Sequence, residues 1–306
     1  MRNDLVVFIL SYNRYDNIVT IDMLRSIGYT GNIVILTEES QKELYQERWG
    51  DREGVSVEAY SKDEMYKMTD MADTEHGGTI VLARNYCFTL AEKLGYRYFL
   101  EYEDDYADIV YRVPKLEDGQ WVLKAYKLKR FDDIIDAFIK FYDSTDATTI
   151  CFAQGGDYIG GTDKYNNWGN KFRKAMNSFL CRTDRPFKFY GRMNDDVNSY
   201  ITEGHRGRLY LTIKDISVNQ MMTQENAGGL SDMYKKYGTY VKSFYSVIYN
   251  PSVAKISMMG WTHPRIHHKI AFMFCAPRII PESYKKSKDK VTPLYKEVGF
   301  RKEDRL

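Results

Sequence analysis

Residues 98–106, with the sequence YFLEYEDDY, constrain the possible folds of this chain more than any other segment. An apolar and aromatic run leads directly into three acids, Glu103, Asp104 and Asp105. We interpret the run as a buried strand of an open α/β sheet, in which ligands bind in a crevice at the carboxyl ends of the strands. Because alternate side chains of an extended segment point the same way, Glu103 and Asp105 should share one side.

Carboxylates in that position favour a divalent cation in the crevice. Mg²⁺ and Mn²⁺ prefer oxygen ligands, and they usually take a few carboxylates together with substrate phosphates. The segment therefore predicts a metal site on Glu103 and Asp105, with Asp104 close to the bound ligand. A solvated acidic turn is the alternative when this stretch is considered alone.

The composition is that of a globular protein with a large core. The 306 residues are 43% hydrophobic and 28% charged, which is enough for one large domain or two small ones. A net charge of +2 indicates no particular partner, whereas the 26 tyrosines and 15 phenylalanines also suit surfaces that stack on sugars or bases. The amino-terminal apolar run is short, so we expect neither a signal peptide nor a spanning helix. Four cysteines, far apart and mostly in apolar runs, are expected to be reduced, as in a cytosolic protein: Cys87, Cys151, Cys181 and Cys275.

The first forty residues predict a βαβ unit. A continuous apolar run at 5–10 indicates a strand buried on both faces, residues 16–27 have helical spacing, and 32–37 form a second strand. Polar residues at the carboxyl end of the first strand suit a nucleotide. The chain has no G-x-G-x-x-G and no G-x-x-x-x-G-K, which argues against a dinucleotide fold and a P-loop NTPase. We assign five polar residues after these strands to nucleotide binding: Ser11, Tyr12, Asn13, Arg14 and Thr37.

Further along, hydrophobic periodicity predicts more helices and strands. A helix at 79–94 carries Arg84 just before the acidic strand, where it would either reach a diphosphate or lie at the surface, paired with a nearby acid. A turn signal at Glu117-Asp118-Gly119 predicts a hairpin over 115–127. The other predicted elements are helices at 41–49, 131–142 and 230–245 and strands at 55–60, 148–152 and 209–213.

A glycine-rich loop, QGGDYIGG at 154–161, follows one of these strands. Four glycines allow the backbone to approach a ligand closely or allow the loop to move. Because Gln154, Asp157 and Tyr158 are embedded among them, we predict that these three contact a ligand. A flexible linker is the alternative.

Residues 164–192 have the strongest charge bias of the chain. Eight lysines and arginines face one acid, Asp184, which gives a net charge of +7, and aromatic residues are interleaved. Cations with aromatics suit a nucleic-acid backbone and an exposed base, although an ordinary basic face is the alternative. The predicted nucleic-acid contacts in this segment are Trp168, Lys171, Arg173 and Lys174.

A second acidic motif, NDD, follows a strand-like segment at 187–190. Asp195 and Asp196 stand where a helix should begin, so they are either a helix cap or a general base.

The segment 260–269, GWTHPRIHHK, gathers three of the five histidines. The spacing of His263 and His267 is that of metal ligands on a helix, but Pro264 argues against a regular helix. This segment would add one metal ligand and bind phosphate through Arg265.

The order of these motifs resembles that of a known family. A strand ending in SYNR, a helix with Arg84 and Asn85, the EDD strand end, the NDD motif and a carboxyl-terminal histidine are together similar to a GT-A type glycosyltransferase. More closely, FAQGG, FRKAMNS, GRMNDDVNSY, QENAGG and HPRIHHKI resemble the TET/JBP-associated glycosyltransferases of phages, over most of residues 5–281.

The resemblance implies an α/β fold of GT-A type: a Rossmann-like, mixed and mostly parallel sheet flanked by helices, with a smaller acceptor-side subregion. It implies one catalytic domain over 1–281, with 1–110 for the nucleotide sugar and 111–281 for the acceptor, before a lysine-rich tail at 282–306. The expected partners are a UDP-sugar, Mn²⁺ or Mg²⁺, and DNA carrying hydroxymethylated pyrimidines. The expected location is the cytoplasm of an infected bacterial host.

The resemblance also implies roles for the residues. The predicted nucleotide contacts and Asp104 would bind the sugar donor, and the predicted contacts of the glycine-rich loop and of the basic segment would bind the acceptor. Asp105 and Glu103 would hold the metal with His263, while Arg84 and Arg265 would contact the diphosphate. The motif NDD stands where many GT-A enzymes have Glu-Asp, so both Asp196, our first choice, and Asp195 remain candidates for the base. A single base opposite the leaving group implies inversion. Three alternatives stay open: a non-DNA acceptor, a metal-dependent nucleotidyltransferase or phosphohydrolase, and a noncatalytic nucleic-acid binding module.

Overall fold

A computed structural model describes residues 2–73, 79–158, 174–220, 238, 240–260 and 264–275. Within these residues, nine strands form one sheet in the order β3-β2-β1-β4-β8-β7-β9-β5-β6, and two more form a separate hairpin. The strands are β1 Leu5–Leu10, β2 Asn32–Glu38, β3 Val55–Tyr60, β4 Tyr98–Glu103, β5 Tyr106–Glu117, β6 Gln120–Lys127, β7 Thr149–Gln154, β8 Phe179–Arg182, β9 Tyr210–Gln220, β10 Ala254–Met259 and β11 Arg265–Ile270.

Helices cover both faces of the large sheet. One buried apolar cluster joins α1, α2 and α5 to the sheet, and a second joins α3 and α4 to it. Gly95 ends α4 in the left-handed conformation at φ +78°, which a glycine adopts without strain. The helices are α1 Val19–Ser26, α2 Lys42–Trp49, α3 Lys62–Met68, α4 Ile80–Leu94, α5 Phe131–Asp143, α6 Asp195–His205, α7 Lys242–Tyr249 and α8 Phe272–Cys275.

The first half of the sheet is parallel, as the buried apolar runs predict. Strands β3, β2, β1 and β4 pair in parallel, and the register sets Leu10 beside Glu103. The SYNR segment and the EDD segment therefore leave neighbouring strands at the same edge. This mixed α/β sheet flanked by helices confirms the predicted fold class.

The second half of the sheet mixes strand directions. Strand β8 is antiparallel to both β4 and β7, β7 is parallel to β9, and β5 is antiparallel to β9 and β6. Only Asp104 and Asp105 connect β4 to β5, although three strands lie between them in the sheet. The acidic motif is thus the link between the two halves.

One predicted strand is wrong. Residues 187–190 lie outside any strand, and the strand of this region is β8, eight residues earlier. The backbone hydrogen bonds of Phe189 are made with a side chain and not with a neighbouring strand. Asn85 donates to the carbonyl of Phe189 at 3.0 Å and accepts from its N–H at 2.9 Å. The Phe187 and Phe189 rings pack with Phe179 in the core, so the apolar pattern reports burial without strand pairing.

Other boundaries also differ from the prediction. The predicted hairpin is correct in its turn, where Asp118 and Gly119 both have positive φ, but β5 begins nine residues earlier than predicted. The helix predicted for 230–245 falls partly outside the described residues. The described helix α7 begins only at Lys242 and ends at Tyr249, and residues 238, 240 and 241 are not helical, so the prediction is correct only for 242–245. Strand β11 carries His267 and His268, which confirms that Pro264 is not followed by a helix.

All four cysteines are buried and form no disulfide, as predicted. None of the helices in the described segments is long and apolar enough to cross a membrane. The predicted boundary at residue 281 and the tail at 282–306 lie outside the described residues, so the domain limits stay a prediction.

Candidate active site

At the carboxyl edge of the parallel strands, Asp104 ties the SYNR segment to the EDD segment. Its carboxylate accepts a hydrogen bond from the Ser11 hydroxyl at 2.6 Å and pairs with Arg14 Nη1 at 2.8 Å. The Tyr45 hydroxyl lies 2.8 Å from the same Ser11 oxygen. Burial raises the pKa of Asp104, against the attraction of Arg14. Asp104 therefore anchors the predicted donor loop, in addition to any contact with a donor.

The rest of the predicted donor loop is more open. Asn13 is exposed, has a φ of +59°, and its N–H donates to Gln41 Oε1 at 2.8 Å. Asparagine tolerates this left-handed conformation better than most residues do. Tyr12 is half-buried beside it, whereas Thr37 is completely buried. The structure therefore does not support the predicted contact of Thr37 with a donor.

The predicted metal pair converges on a single point. Nε2 of Gln220, the last residue of β9, donates to Glu103 Oε2 at 2.8 Å and to Asp105 Oδ1 at 3.0 Å. Burial raises the pKa of Asp105, and it raises that of Glu103 to about 8 against the attraction of Arg84. The two carboxylates thus accept from the same side-chain amide, whose place a cation could take.

The carboxylates of Glu103 and Asp105 fit a divalent cation that also binds a phosphate-bearing ligand. Among the described residues, no three Asp, Glu, His or Cys side chains form a metal-binding group. Mg²⁺ is usually held by one or two carboxylates plus substrate phosphates, so a pair suffices. His263, the predicted third ligand, lies outside the described residues.

Arg84 is the buried centre of the site. Its Nη2 lies 2.9 Å from Glu103, its Nε 3.0 Å from Asp195 and its Nη1 3.6 Å from Glu101. The residue is only 1% exposed. The predicted contact with a diphosphate does not fit this burial. The alternative, a surface arginine paired with an acid, is correct about the acid, since Arg84 has three such partners, but wrong about the surface. The planar guanidinium can hold several carboxylates at fixed angles, which a lysine cannot do.

The second acidic motif lies at the start of α6. Asn194 precedes the helix with a φ of +55°, and its side chain donates to the Lys242 carbonyl at 2.7 Å instead of capping the helix. Asp195 and Asp196 follow in the first turn, where negative charge is favourable, and both are buried. Asp196 also accepts from the Val197 N–H at 2.7 Å, which is part of the role expected of a cap.

The two aspartates have different surroundings. Asp195 faces Arg84, and burial raises its pKa to about 6. Burial also raises the pKa of Asp196, while the positive charges of Arg84, Lys174 and Lys242 act in the opposite direction. Asp195 thus pairs with the arginine that also contacts Glu103, a predicted metal ligand. Asp196 interacts in addition with the charges of two lysines.

The described part of the glycine-rich loop, residues 154–158, makes several contacts with the rest of the protein. Asp157 is buried, accepts from the Gln154 N–H at 3.0 Å and lies 3.8 Å from Lys174 Nζ. Tyr158 is also buried, donates to the Lys214 carbonyl, and has the Arg112 guanidinium 4.1 Å from its ring centroid. This burial does not support the predicted contact of Tyr158 with the acceptor.

Three cations of the basic segment hold the fold together. Arg182 pairs with Asp143 at 2.9 Å, and Arg192, completely buried, pairs with Asp73 at 3.0 Å. Arg185 donates to two backbone carbonyls, those of Thr145 and Ala147. The net charge of +7 therefore overstates the positive surface of this segment. Trp168, Lys171 and Arg173 lie outside the described residues, so their predicted roles stay predictions.

Comparison with known proteins supplies the family. The model of one family, TET-Associated Glycosyltransferase, matches residues 5–229, about three quarters of the chain. The chain belongs to the TET-associated glycosyltransferases. It is therefore an enzyme that transfers a sugar, as the sequence motifs predicted, and the alternatives of a nucleotidyltransferase and a noncatalytic binding module are set aside.

Comparison with solved structures gives a distant match for this TET-associated glycosyltransferase. Glucosyl-3-phosphoglycerate synthase from Mycobacterium tuberculosis, in complex with Mn²⁺, uridine-diphosphate and phosphoglyceric acid, is 8% identical. The match covers 87% of this chain and 86% of that one, with a TM-score of 0.43. No curated protein sequence matches the chain with significance.

Sequence analysis missed two residues of the site of this TET-associated glycosyltransferase. Glu101 lies in the middle of β4, completely buried, and burial raises its pKa to about 8. An acid inside an apolar strand was the signal for a buried ion pair. Gln220 ends β9, and no local pattern distinguished it from a surface glutamine. Its role depends on the pairing of β9 with β5, which a single sequence does not show.

Proposed function

We propose that this glycosyltransferase moves a sugar from a UDP-sugar to the hydroxyl of a hydroxymethylated pyrimidine in DNA, with help from a divalent metal. The observation that carries the proposal is the placement of both acidic motifs around Arg84, which lies 2.9 Å from Glu103 and 3.0 Å from Asp195. A sugar transfer needs positive charge for the leaving diphosphate and a base for the acceptor hydroxyl, side by side. The EDD and NDD motifs offer this combination in one place.

The donor would bind at the carboxyl edge of β1 and β4. Glu103 and Asp105 would hold Mn²⁺ or Mg²⁺, which when bound offsets the negative charge that develops on the leaving diphosphate. Tyr12, Asn13 and Arg14 border this edge and would contact the nucleotide. Arg84 acts from beneath the site. Arg265 is exposed on β11, where a DNA phosphate and the donor diphosphate are both possible partners for its predicted phosphate contact.

The acceptor hydroxyl must lose its proton as the new bond forms. Asp196 would accept this proton, because it is next to Asp195 but lies on the side of Lys174 and Lys242. Asp195 is held by Arg84 and would keep the first turn of α6 in place. One base opposite the leaving group gives inversion, so a UDP-α-sugar would yield a β-glycoside.

DNA as the acceptor is supported by the motifs FAQGG, GRMNDDVNSY and QENAGG, which resemble glycosyltransferases of hydroxymethylated DNA. A base that reacts must leave the stack or come from a single strand. Asp157 lies 3.8 Å from Lys174, and the charge of Lys174 also acts on Asp196, the proposed base. Gln154 and Asp157 would therefore border the acceptor. If the DNA is that of a phage, the reaction takes place in the cytoplasm of its bacterial host.

The test is nucleoside mass spectrometry. DNA with 5-hydroxymethylcytosine or 5-hydroxymethyluracil is incubated with the enzyme, Mn²⁺ and a panel of UDP-sugars, then digested to nucleosides. A mass increase of one sugar on one modified nucleoside is expected, together with one UDP released per sugar. Transfer to free nucleosides or other small molecules, with none to DNA, would refute the DNA acceptor and leave the sugar transfer intact.

A further inference from the structure

Beyond the residues that match the family model, β10 and β11 form a hairpin with one strongly basic face. The antiparallel register places Lys255 opposite Lys269, Ser257 opposite His267, and Met259 opposite Arg265. Side chains alternate between the two faces of a strand, so these six residues share one face. Both lysines and Arg265 are exposed. The face thus carries three positive charges and one histidine within two short strands.

The opposite face fixes the hairpin beside the proposed base. Ile270 packs against a buried cluster that includes Val197 of α6. His268 Nδ1 lies 3.1 Å from the side-chain amide of Asn194. Since Asn194 immediately precedes the two aspartates of α6, the hairpin is anchored at the start of the helix that carries Asp196.

The basic face is unfavourable for the protein on its own. Like charges directly opposite each other on an antiparallel pair destabilise it, and Lys255 and Lys269 are such a pair. Across the segments that the structure describes, no acid forms an ion pair with either lysine or with Arg265. An arrangement of this kind is expected where an anionic ligand supplies the missing negative charge.

Positive charge continues from the hairpin toward the base. Burial lowers the pKa of Lys242, and the charges of Arg265 and Lys174 lower it further, while Asp196 opposes them. Arg265 therefore lies close enough to Lys242 for their charges to interact, and Lys242 in turn lies close to Asp196. A polyanion on the hairpin would thus be next to the site of proton transfer.

We propose that this face binds the phosphodiester backbone of the acceptor DNA beside the target nucleotide. The inference rests on the proposed function, because it names the surface that holds the proposed acceptor. Phosphate contacts position a duplex without reading its sequence, which suits an enzyme that modifies one base type in many contexts. Bound phosphates would also offset the repulsion between Lys255 and Lys269.

The experiment compares Lys255→Gln/Lys269→Gln with a control of equal charge change, Lys129→Gln/Lys140→Gln. Both control lysines are exposed and lie elsewhere, between β6 and α5 and on α5. Fluorescence anisotropy gives the affinity for a labelled duplex with hydroxymethylcytosine at several salt concentrations. The hairpin variant should bind more weakly, and its log–log salt slope should be shallower by about 0.9 for each lost phosphate contact. The control should match the wild type.

Other outcomes separate this inference from the proposed function. The melting temperature of the hairpin variant should not fall, because the substitution removes a like-charge pair. Sugar transfer to DNA by the wild type, with unchanged affinity and slope in the hairpin variant, would overturn the inference and leave the function. Salt-dependent binding that the hairpin variant weakens, without any transfer, would support the face and refute the function. Hairpin-dependent binding to phosphatidylglycerol vesicles, with none to DNA, would overturn the DNA-binding face.

Discussion

The Nε atom of Arg84 lies 3.0 Å from a carboxylate oxygen of Asp195, and the same guanidinium reaches Glu103 at 2.9 Å. One buried cation therefore links the strand end that would hold the metal to the helix that would hold the base. Both acidic motifs therefore depend on Arg84 for the balance of their negative charge.

Arg84→Met should destabilise the protein by about 3–5 kcal/mol, because removing one partner of a buried ion pair leaves the others uncompensated. Arg84→Lys keeps the charge and should lose less. Arg130→Met is the matched control, since its pair with Asp133 is exposed on both sides and should be worth about 1 kcal/mol or less. Urea denaturation of the three variants measures the differences. Equal losses for Arg84→Met and Arg130→Met would contradict the buried network.

Asp105→Asn should abolish Mn²⁺-dependent binding of UDP while leaving the fold intact. The substitution keeps the shape of the side chain and its hydrogen bond with Gln220 but removes one of the two charges that converge there. Asp108→Asn, three residues later and partly exposed, is the control. Titration calorimetry of UDP with and without Mn²⁺ decides the point. Unchanged metal-dependent affinity in Asp105→Asn would show that the metal is held elsewhere.

Asp196→Asn should lower kcat by roughly 10²–10⁴-fold with little change in the affinity for the donor, as expected when a general base is lost. Asp195→Asn should instead affect stability first, because it leaves Arg84 with one acid fewer. Steady-state kinetics with hydroxymethylated DNA, together with thermal melts, separate the two effects. If Asp195→Asn loses the rate and Asp196→Asn does not, the roles are reversed.

The rate should fall on the acidic side at a higher pH than an ordinary aspartate would give. Burial raises the pKa of both acids above the usual 3.8, to about 6 for Asp195. A base must be deprotonated to accept a proton, so kcat should decline as the pH falls through the raised pKa. Measurements of kcat at saturating substrate across the acidic range test this. A constant kcat down to about pH 4.5 would mean that the base has an ordinary pKa.

The parallel half of the fold was predictable because its signals are local. The apolar runs of β1 and β4, the helical spacing of α4 and Gly95 at its end each report on their own segment. The edge at which the SYNR and EDD motifs meet follows from parallel pairing, so the donor side of the site could also be predicted.

The remaining parts of the site depend on contacts between distant segments. Arg84 was placed on the correct helix, but its burial against Glu101 and Asp195 depends on how α4 packs between β4 and α6. Phe187 and Phe189 gave a strand pattern because core aromatics and strand aromatics are alike in sequence. The charge of residues 164–192 was correct as a sum, yet Arg182 and Arg192 are used inside the protein.

The two-residue connection between β4 and β5 has a geometric consequence. Three consecutive Cα–Cα steps, from Glu103 to Tyr106, cover at most about 11 Å, whereas four strand spacings in a flat sheet amount to roughly 19 Å. The sheet must therefore curl so that β4, in its middle, and β5, next to its far edge, approach each other at the acids. The contact of Gln220 with Glu103 bridges the same gap. A ligand bound there would contact both β4 and the β5 side of the curled sheet. Local unfolding of the β5 side would therefore weaken ligand binding before it disturbed β1 and β4.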